Sequence, residues 1–402
     1  MRDTLADIKV VDFSQVLAGP FTTNLLAMQG AEVIKIEMPG GGDQARGMSI
    51  DGSLVALGMS PLFIGVNVGK RSIAIDLKNP RSREVVDRLL ADADVVVQNF
   101  KAGVIDRLGY GYETVKAIRP DVIYCAISGY GQEGPRAEAA AYDGAIQAAS
   151  GMMSTTGTPE AGPVRAGYTV VDLSTGLTAA YAIMSALYRR KATGEGQFID
   201  VAMFDTALTM MNPLVSAYMI AGRLPELKGN ISPTMQGTGD TFPTADGWLQ
   251  VSAITNRVVE KLCSALGHPE WFAETRYSSD EMRVEHREQI RAEISDILRQ
   301  HPTEVWIERL RAEGVPTAPV ATIDEAVGQP QLDYRDILMR VPAPKGMDGE
   351  VTVTGSSFKT TLGSPGTDRP APALGQHTDE VLAEHDFDAA AIADLRAAGV
   401  VA

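Results

Sequence analysis

Over roughly its first 130 residues the chain alternates short apolar, β-rich runs with stretches of helical periodicity. Residues 8–13 (IKVVDF) form one run, and Gly19-Pro20 opens a helical stretch through Met28. Residues 32–36 (EVIKI) form a second, followed by a loop at Gly40-Gly41-Gly42-Asp43. Residues 72–77 are strand-like. Asn79-Pro80 then starts an amphipathic helix with Val85, Val86, Leu89 and Leu90 on one face. Residues 94–97 (DVVV) and 122–127 (VIYCAI) are continuous apolar runs, as strands buried on both faces require. Strands alternating with helices in this way predict βαβ units and a doubly wound, mostly parallel sheet.

Beyond this, residues 142–222 read as mainly helical, with strand candidates at 168–171 and 197–201. Gly, Pro and Thr dominate 229–246, a strand follows at 248–253, and charged amphipathic helices span 281–300 and 303–313. This change of texture predicts a second, smaller α+β domain at 225–330. The tail holds a strand near 351–353 and helices near 378–384 and 388–397.

Composition narrows the chemistry. The 402 residues are 45% hydrophobic and 22% charged, the balance of a globular protein with ample core. A net charge of −15 argues against a nucleic-acid partner or an anionic membrane surface. Residues 1–10 lack the apolar segment of a signal peptide. The apolar stretch 203–222 is interrupted by Asp205 and Asn212-Pro213, which predicts a buried or interface helix rather than a membrane span. Two cysteines, Cys125 and Cys263, fit a reducing cytoplasm and exclude a Cys-rich metal site. All five histidines lie at or beyond His268, so the first 267 residues cannot hold a Ser-His-Asp triad or an HExxH zinc helix. Chemistry there falls to carboxylates, lysines, tyrosines or backbone groups.

Three constellations stand out. Gly129-Tyr-Gly131-Gln-Glu-Gly134 matches a dinucleotide fingerprint in spacing, but Pro135 and a polar stretch follow where a helix is needed. A glycine loop that lets backbone approach a ligand or partner is the reading it supports. In VVDLSTGL the apolar positions Leu173, Leu177, Tyr181, Met184 and Leu187 predict a buried helix starting just after Asp172. An Asp at a helix mouth meets the partial positive charge of free N–H groups, which favours its ionised form; a simple N-cap is the alternative. Finally, Lys70-Arg71, Lys101 and Arg107 cluster near predicted strand ends, with Asn99-Phe100 between them. They suit either a phosphorylated nucleotide or a solvated face.

Taken in order, VVDFSQVLAGP, AEVIKIEMPGGGD, KRSIAIDLK, VVVQNFKAGVIDRLGY, YDGAIQAASG, VDLSTG and LGQHTDEVL resemble the class III CoA-transferases, the family of formyl-CoA and carnitine CoA-transferases. The resemblance spans residues 8 to 385. It implies a large Rossmann-like domain built from residues 1–224 and 331–402, the small domain at 225–330, and two chains interlocked as a homodimer. It places the catalytic aspartate on Asp172. It places CoA contacts on Leu17, Ala18, Met38, Ile75, Asp76, Leu77, Lys78, Asn99, Phe100, Lys101, Arg107 and the segment around Tyr142. The reaction implied moves CoA from an acyl-CoA to a carboxylic acid through an aspartyl anhydride and an aspartyl-CoA thioester. It needs acyl-CoA as substrate, no tightly bound cofactor and no metal.

The sequence departs from the formyl-CoA pattern at four places. Leu17 replaces a Gln, Met38 an Arg and Ala140 a Lys, and the small-domain glycine run shrinks to Gly237-Thr-Gly239. These departures point away from oxalate and formate. Arg46 and Arg165 are then candidates to grip a second carboxylate. The α-methylacyl-CoA racemases share the resemblance but carry a histidine where this chain has Tyr142, and a non-catalytic acyl-CoA-binding protein would have no use for a reactive Asp172.

Overall fold

A computed structural model describes residues 3–49 and 51–402. Six strands build the main sheet: β1 (Lys9–Asp12), β2 (Glu32–Glu37), β3 (Arg71–Ala74), β4 (Val95–Gln98), β5 (Ile123–Ser128) and β6 (Gln197–Ala202). They lie in the order β3-β2-β1-β4-β5-β6, and every pair is parallel. The fold is therefore mixed α/β around a parallel sheet, with smaller sheets elsewhere in the chain.

The apolar runs explain why this sheet is covered on both sides. Successive strand residues point to opposite faces. Val11, Val96 and Tyr124 enter one core, together with Val85, Val86, Leu89 and Leu90 of α2 (Ser82–Ala91). Val10, Val95, Val97, Ile123 and Cys125 enter the other, with Leu26 of α1 (Ala18–Ala27) and Ala179, Ile183 and Ala186 of α4 (Val170–Thr193). The C-terminal helices Thr378–Glu384 and Ala389–Ala397 add Val381, Leu382 and Ile392 to the first core. Between β5 and α4 lies α3 (Asp143–Ala149).

The chain divides into two compact units. The first holds this sheet and comprises residues 1–154, 164–225 and 331–402; the second comprises 155–163 and 226–330. In the second, strands Gly239–Pro243, Trp248–Ser252 and Thr317–Pro319 form an antiparallel sheet. Helices Asn256–Ala265, Arg287–Leu298 and Thr303–Glu313 pack on it around Leu249, Val251 and Trp306. The antiparallel pair Gly157–Thr158 and Gly162–Pro163 joins this unit although it lies far upstream in sequence.

Several local expectations change. Residues 168–171 are not a strand: α4 already begins at Val170, and its buried face runs through Val171, Ala179, Ile183 and Ala186, whereas Leu177 and Tyr181 of the predicted buried series are exposed. The stretch 203–222 is two helices, α5 (Met203–Met210) and α6 (Asn212–Ala221), parted where Pro213 cannot continue the hydrogen-bond ladder. The one helix long and apolar enough to cross a membrane, among the described residues, is α4, and half of that stretch is buried inside the fold.

Helices α1 and α4 meet closely at Gly176. A Cβ built there would lie 2.9 Å from the Ala18 carbonyl oxygen and 2.8 Å from the Phe21 ring, and Thr22 Oγ1 donates to the Gly176 carbonyl at 3.2 Å. Gly176→Ala should cost stability by about 1–3 kcal/mol, overpacking outweighing the helix propensity gained. A urea denaturation series measures this; an unchanged or raised midpoint would mean that the helices separate at no cost.

Candidate active site

Parallel sheets bind ligands beyond their carboxyl ends, where neighbouring strands connect in opposite directions. Here that point lies between β1 and β4. The β1–α1 turn and the segment after β4 are tied together: Gln15 N–H donates to Asn99 Oδ1 at 2.8 Å, and Asn99 Nδ2 donates to the Gln15 carbonyl at 2.7 Å. A cavity of about 400 Å³ opens beside them. Its walls include Gln15, Val16, Leu17, Ala18, Asn99, Phe100, Lys101, Gly129, Tyr142, Asp172 and Met203.

Gly129 closes one wall, since a Cβ built on it would lie 2.2 Å from Ala141 Cβ. No helix follows Gly134, so the GxGxxG spacing forms a loop without the helix that a dinucleotide site needs.

Asp172 sits in the first turn of α4, third in the helix rather than at its cap. The free N–H groups of that turn are taken by another residue. Asp143, buried at the start of α3, accepts from Val171 N–H at 2.8 Å and Asp172 N–H at 3.1 Å, while Gln147 Nε2 donates to its other oxygen at 2.5 Å. The Asp172 carboxylate itself accepts no hydrogen bond among the described residues. The expectation that the helix end would favour its ionised form is therefore reversed. Burial, and then the Asp143 charge, raise Asp172 to about 7. The N-cap alternative also fails, because Asp143 provides that service from a distance of 28 residues in sequence.

The remaining predicted positions divide. Leu17, Ala18, Asn99, Phe100, Lys101, Tyr142 and Asp172 converge on the cavity. Met38, Asp76, Leu77, Lys78 and Arg107 do not border it. They follow the ends of β2, β3 and β4 along the same carboxyl edge. Ile75 follows β3 with its side chain buried in the core, so only its backbone faces the edge. Lys78, Lys101 and Arg107 are exposed and form no ion pair among the described residues.

Arg46 is corrected as well. It is buried, pairs with Glu37 through two 2.7 Å hydrogen bonds and lies over the Phe63 ring, so its charge is already spent. Lys70 likewise pairs with Asp12, and Arg71 with Glu32, Glu380 and Glu384. Their desolvation is tolerable only because partners are in place. Arg165 remains exposed and unpaired among the described residues, its Nη1 4.0 Å from a Cβ built on Gly144 beside Asp143. Gly237-Thr238-Gly239 is a packed segment of the second unit. A Cβ on Gly237 would lie 2.4 Å from the Arg287 carbonyl oxygen.

Residues 5–378 match the model of CoA-transferase family III. The chain belongs to CoA-transferase family III. It is similar to the human succinyl-CoA:glutarate CoA-transferase, with 35% identity over 99% of this chain and 90% of that one. A succinyl-CoA:mesaconate CoA-transferase from Haloarcula marismortui is 37% identical over 96% and 97%. Among solved structures, a CaiB/BaiF family protein from Brucella suis superposes with a TM-score of 0.84 at 34% identity, covering 94% of this chain and 98% of that one. The enzyme is thus a CoA-transferase, moving CoA from an acyl-CoA to a carboxylic acid, rather than a racemase or a passive acyl-CoA carrier.

For this transferase, Asp143 is the site residue that sequence reasoning missed. Its only signal was an acidic residue directly after Tyr142, and nothing in the spacing tells that it caps α4. The group it perturbs sets a pH test. In the unfolded chain Asp172 ionises near 4, so its contribution to stability is full below about pH 4 and is lost as pH rises through about 7. Asp172→Asn, uncharged throughout, should melt a few degrees above the native chain at about pH 8.5, the gap closing towards about pH 4.5. Equal melting temperatures at both pH values would contradict the unfavourable burial of this carboxylate.

Proposed function

We propose that this transferase carries CoA from a short acyl-CoA, succinyl-CoA in the first instance, to a dicarboxylic acid through covalent intermediates on Asp172. The observation that carries the proposal is the Asp172 carboxylate in the cavity at the β1–β4 junction, without a hydrogen-bond donor among the described residues. A carboxylate denied donors is a better nucleophile than a solvated one, and near pH 7 a substantial fraction is ionised. The choice of substrates is supported by the succinyl-CoA, glutarate and mesaconate named in the two similar enzymes.

Each step of the mechanism keeps an activated acyl group. Asp172 attacks the thioester carbonyl, the C–S bond breaks, and CoA leaves as thiolate, giving a mixed anhydride. The thiolate attacks the Asp172 carbonyl carbon. The donor acid departs with one oxygen that belonged to Asp172, and an aspartyl-CoA thioester remains. The acceptor carboxylate attacks this thioester and expels the thiolate, forming a second anhydride. The thiolate then attacks the acceptor's carbonyl, releasing the new acyl-CoA and regenerating the Asp172 carboxylate. No net proton is moved, so histidine is not required.

In this reading Leu17, Ala18, Asn99, Phe100 and Tyr142 border the thioester end of CoA. Lys78, Lys101 and Arg107 meet its phosphates, with Met38, Asp76 and Leu77 along the same edge. Arg165 receives the second carboxylate of the acid. The interlocked homodimer belongs to the same proposal. Its support is the apolar face of α5 and α6, where Met210, Tyr218, Met219 and Ile220 are exposed and α6 has no buried residue at all. A chain with two buried, unpaired cysteines and CoA thioesters as substrates fits the cytoplasm.

Incubation with succinyl-CoA followed by hydroxylamine should place a hydroxamate on Asp172, located by peptide mass spectrometry. Asp172→Ala should lower transfer by at least about a thousand-fold while retaining CoA binding. Modification elsewhere, or transfer persisting in that variant, would overturn the assignment. Arg165→Gln should raise the KM for a dicarboxylate about ten-fold and leave a monocarboxylate of similar length nearly unaffected; an equal rise for both would remove Arg165 from acid recognition.

A further inference from the structure

The turn that carries Leu17 and Ala18 into the cavity contains a strained residue. Val16 has φ of +67°, a left-handed conformation that a β-branched side chain strongly disfavours. Glycine would adopt it freely, so with valine in place something must hold the backbone there.

The holding groups are buried beneath the turn. Asp43 Oδ1 accepts from Val16 N–H at 2.8 Å and from Ala45 N–H at 2.9 Å. Its other oxygen lies 2.9 Å from Lys35 Nζ, and both side chains are fully inaccessible to solvent. Lys35 Nζ in turn donates to the Ser14 carbonyl at 2.6 Å, gripping the turn two residues earlier. Around this pair lie Asp12 with Lys70, and Glu37 with Arg46, so the six buried charges sum to zero.

We propose that Asp43 is a positioning residue. Its carboxylate, anchored by Lys35, holds Val16 in the left-handed conformation and so presents Leu17 and Ala18 to the acyl-CoA cavity. Without that acceptor, Val16 relaxes to negative φ. The peptide between residues 16 and 17 rotates, and the wall formed by Leu17 and Ala18 leaves its place. Asp43 touches no substrate; it acts through the turn. The proposal rests on the reading that this cavity receives CoA.

The test is a double-mutant cycle on the full chain, read as the Kd for CoA by calorimetry. Asp43→Ala should weaken binding about ten-fold in the native background but less than about three-fold in a chain already carrying Val16→Gly, where the turn needs no clamp. Equal weakening in both backgrounds would overturn the proposal, since a general loss of packing does not depend on what occupies position 16. If Asp43→Ala leaves Lys35 unpaired and the chain insoluble, Lys35→Met with Asp43→Ala removes both charges and runs the same cycle. Failure of the native chain to bind CoA would strike the reading of the cavity instead. The cycle read in melting temperature then still decides the clamp: a smaller loss alongside Val16→Gly supports it, and an equal loss overturns it.

Discussion

Two backbone N–H groups open the long helix α4, and one buried carboxylate, Asp143, occupies both. The character of the site follows from that allocation. Had Asp172 turned back onto its own helix end, it would be a stabilised anion with little reason to attack a thioester. With the donors taken by Asp143, the Asp172 carboxylate is left half-buried beside a second negative charge and without a hydrogen bond among the described residues, and its ionised form is the less comfortable one. Such a group costs the fold stability, and in the proposed mechanism it keeps its reactivity for the incoming acyl carbon. The same buried Asp143 also accepts from Gln147, and Gln147 Oε1 in turn accepts from Ala166 N–H, so the segment leading into α4 is held by the same few groups.

The parallel sheet was legible because its strands are buried on both faces. Runs such as VVV at 95–97 and the apolar series from 122 to 127 are too short for buried helices and too uniformly apolar for strands with a wet face. Their alternation with amphipathic helices fixes the class of fold. Asp172 stood out only through the ordered motifs of a family, because an acidic residue near a helix start is most simply a cap. Its electrostatic state was not legible. It depends on Asp143, 29 positions away, and on which of the two carboxylates meets the helix. Arg46 misled for a related reason. A cation in a glycine-rich loop looks free, and only the tertiary structure brings Glu37 and Phe63 against it. The pair of short strands at 157–163 was invisible because its two-residue strands have no periodicity of their own and take their place from the second unit.

Buried charge recurs throughout the active half of the molecule. Three ion pairs lie under the β1–α1 turn, where hydrophobic residues would pack at less desolvation cost. Apolar packing, however, cannot satisfy the polar backbone of this turn, where Ser14 N–H donates to Asp12, Val16 N–H donates to Asp43 and the Ser14 carbonyl accepts from Lys35. The strained Val16 and the buried Asp172 both border the cavity and both cost the fold stability, while the ion-pair network lies beneath the turn and holds it.

If the Asp172 carboxylate is the covalent carrier in CoA transfer, an oxygen of the acceptor acid must become an oxygen of Asp172 at the end of each turnover. A single turnover of enzyme and succinyl-CoA with glutarate labelled with heavy oxygen in both carboxylates measures this directly, by mass spectrometry of the peptide containing Asp172. One heavy oxygen should enter that side chain and then appear in released succinate during the next turnover. Transfer that leaves Asp172 unlabelled, with all the label retained in the glutaryl product, would contradict a covalent role for this residue.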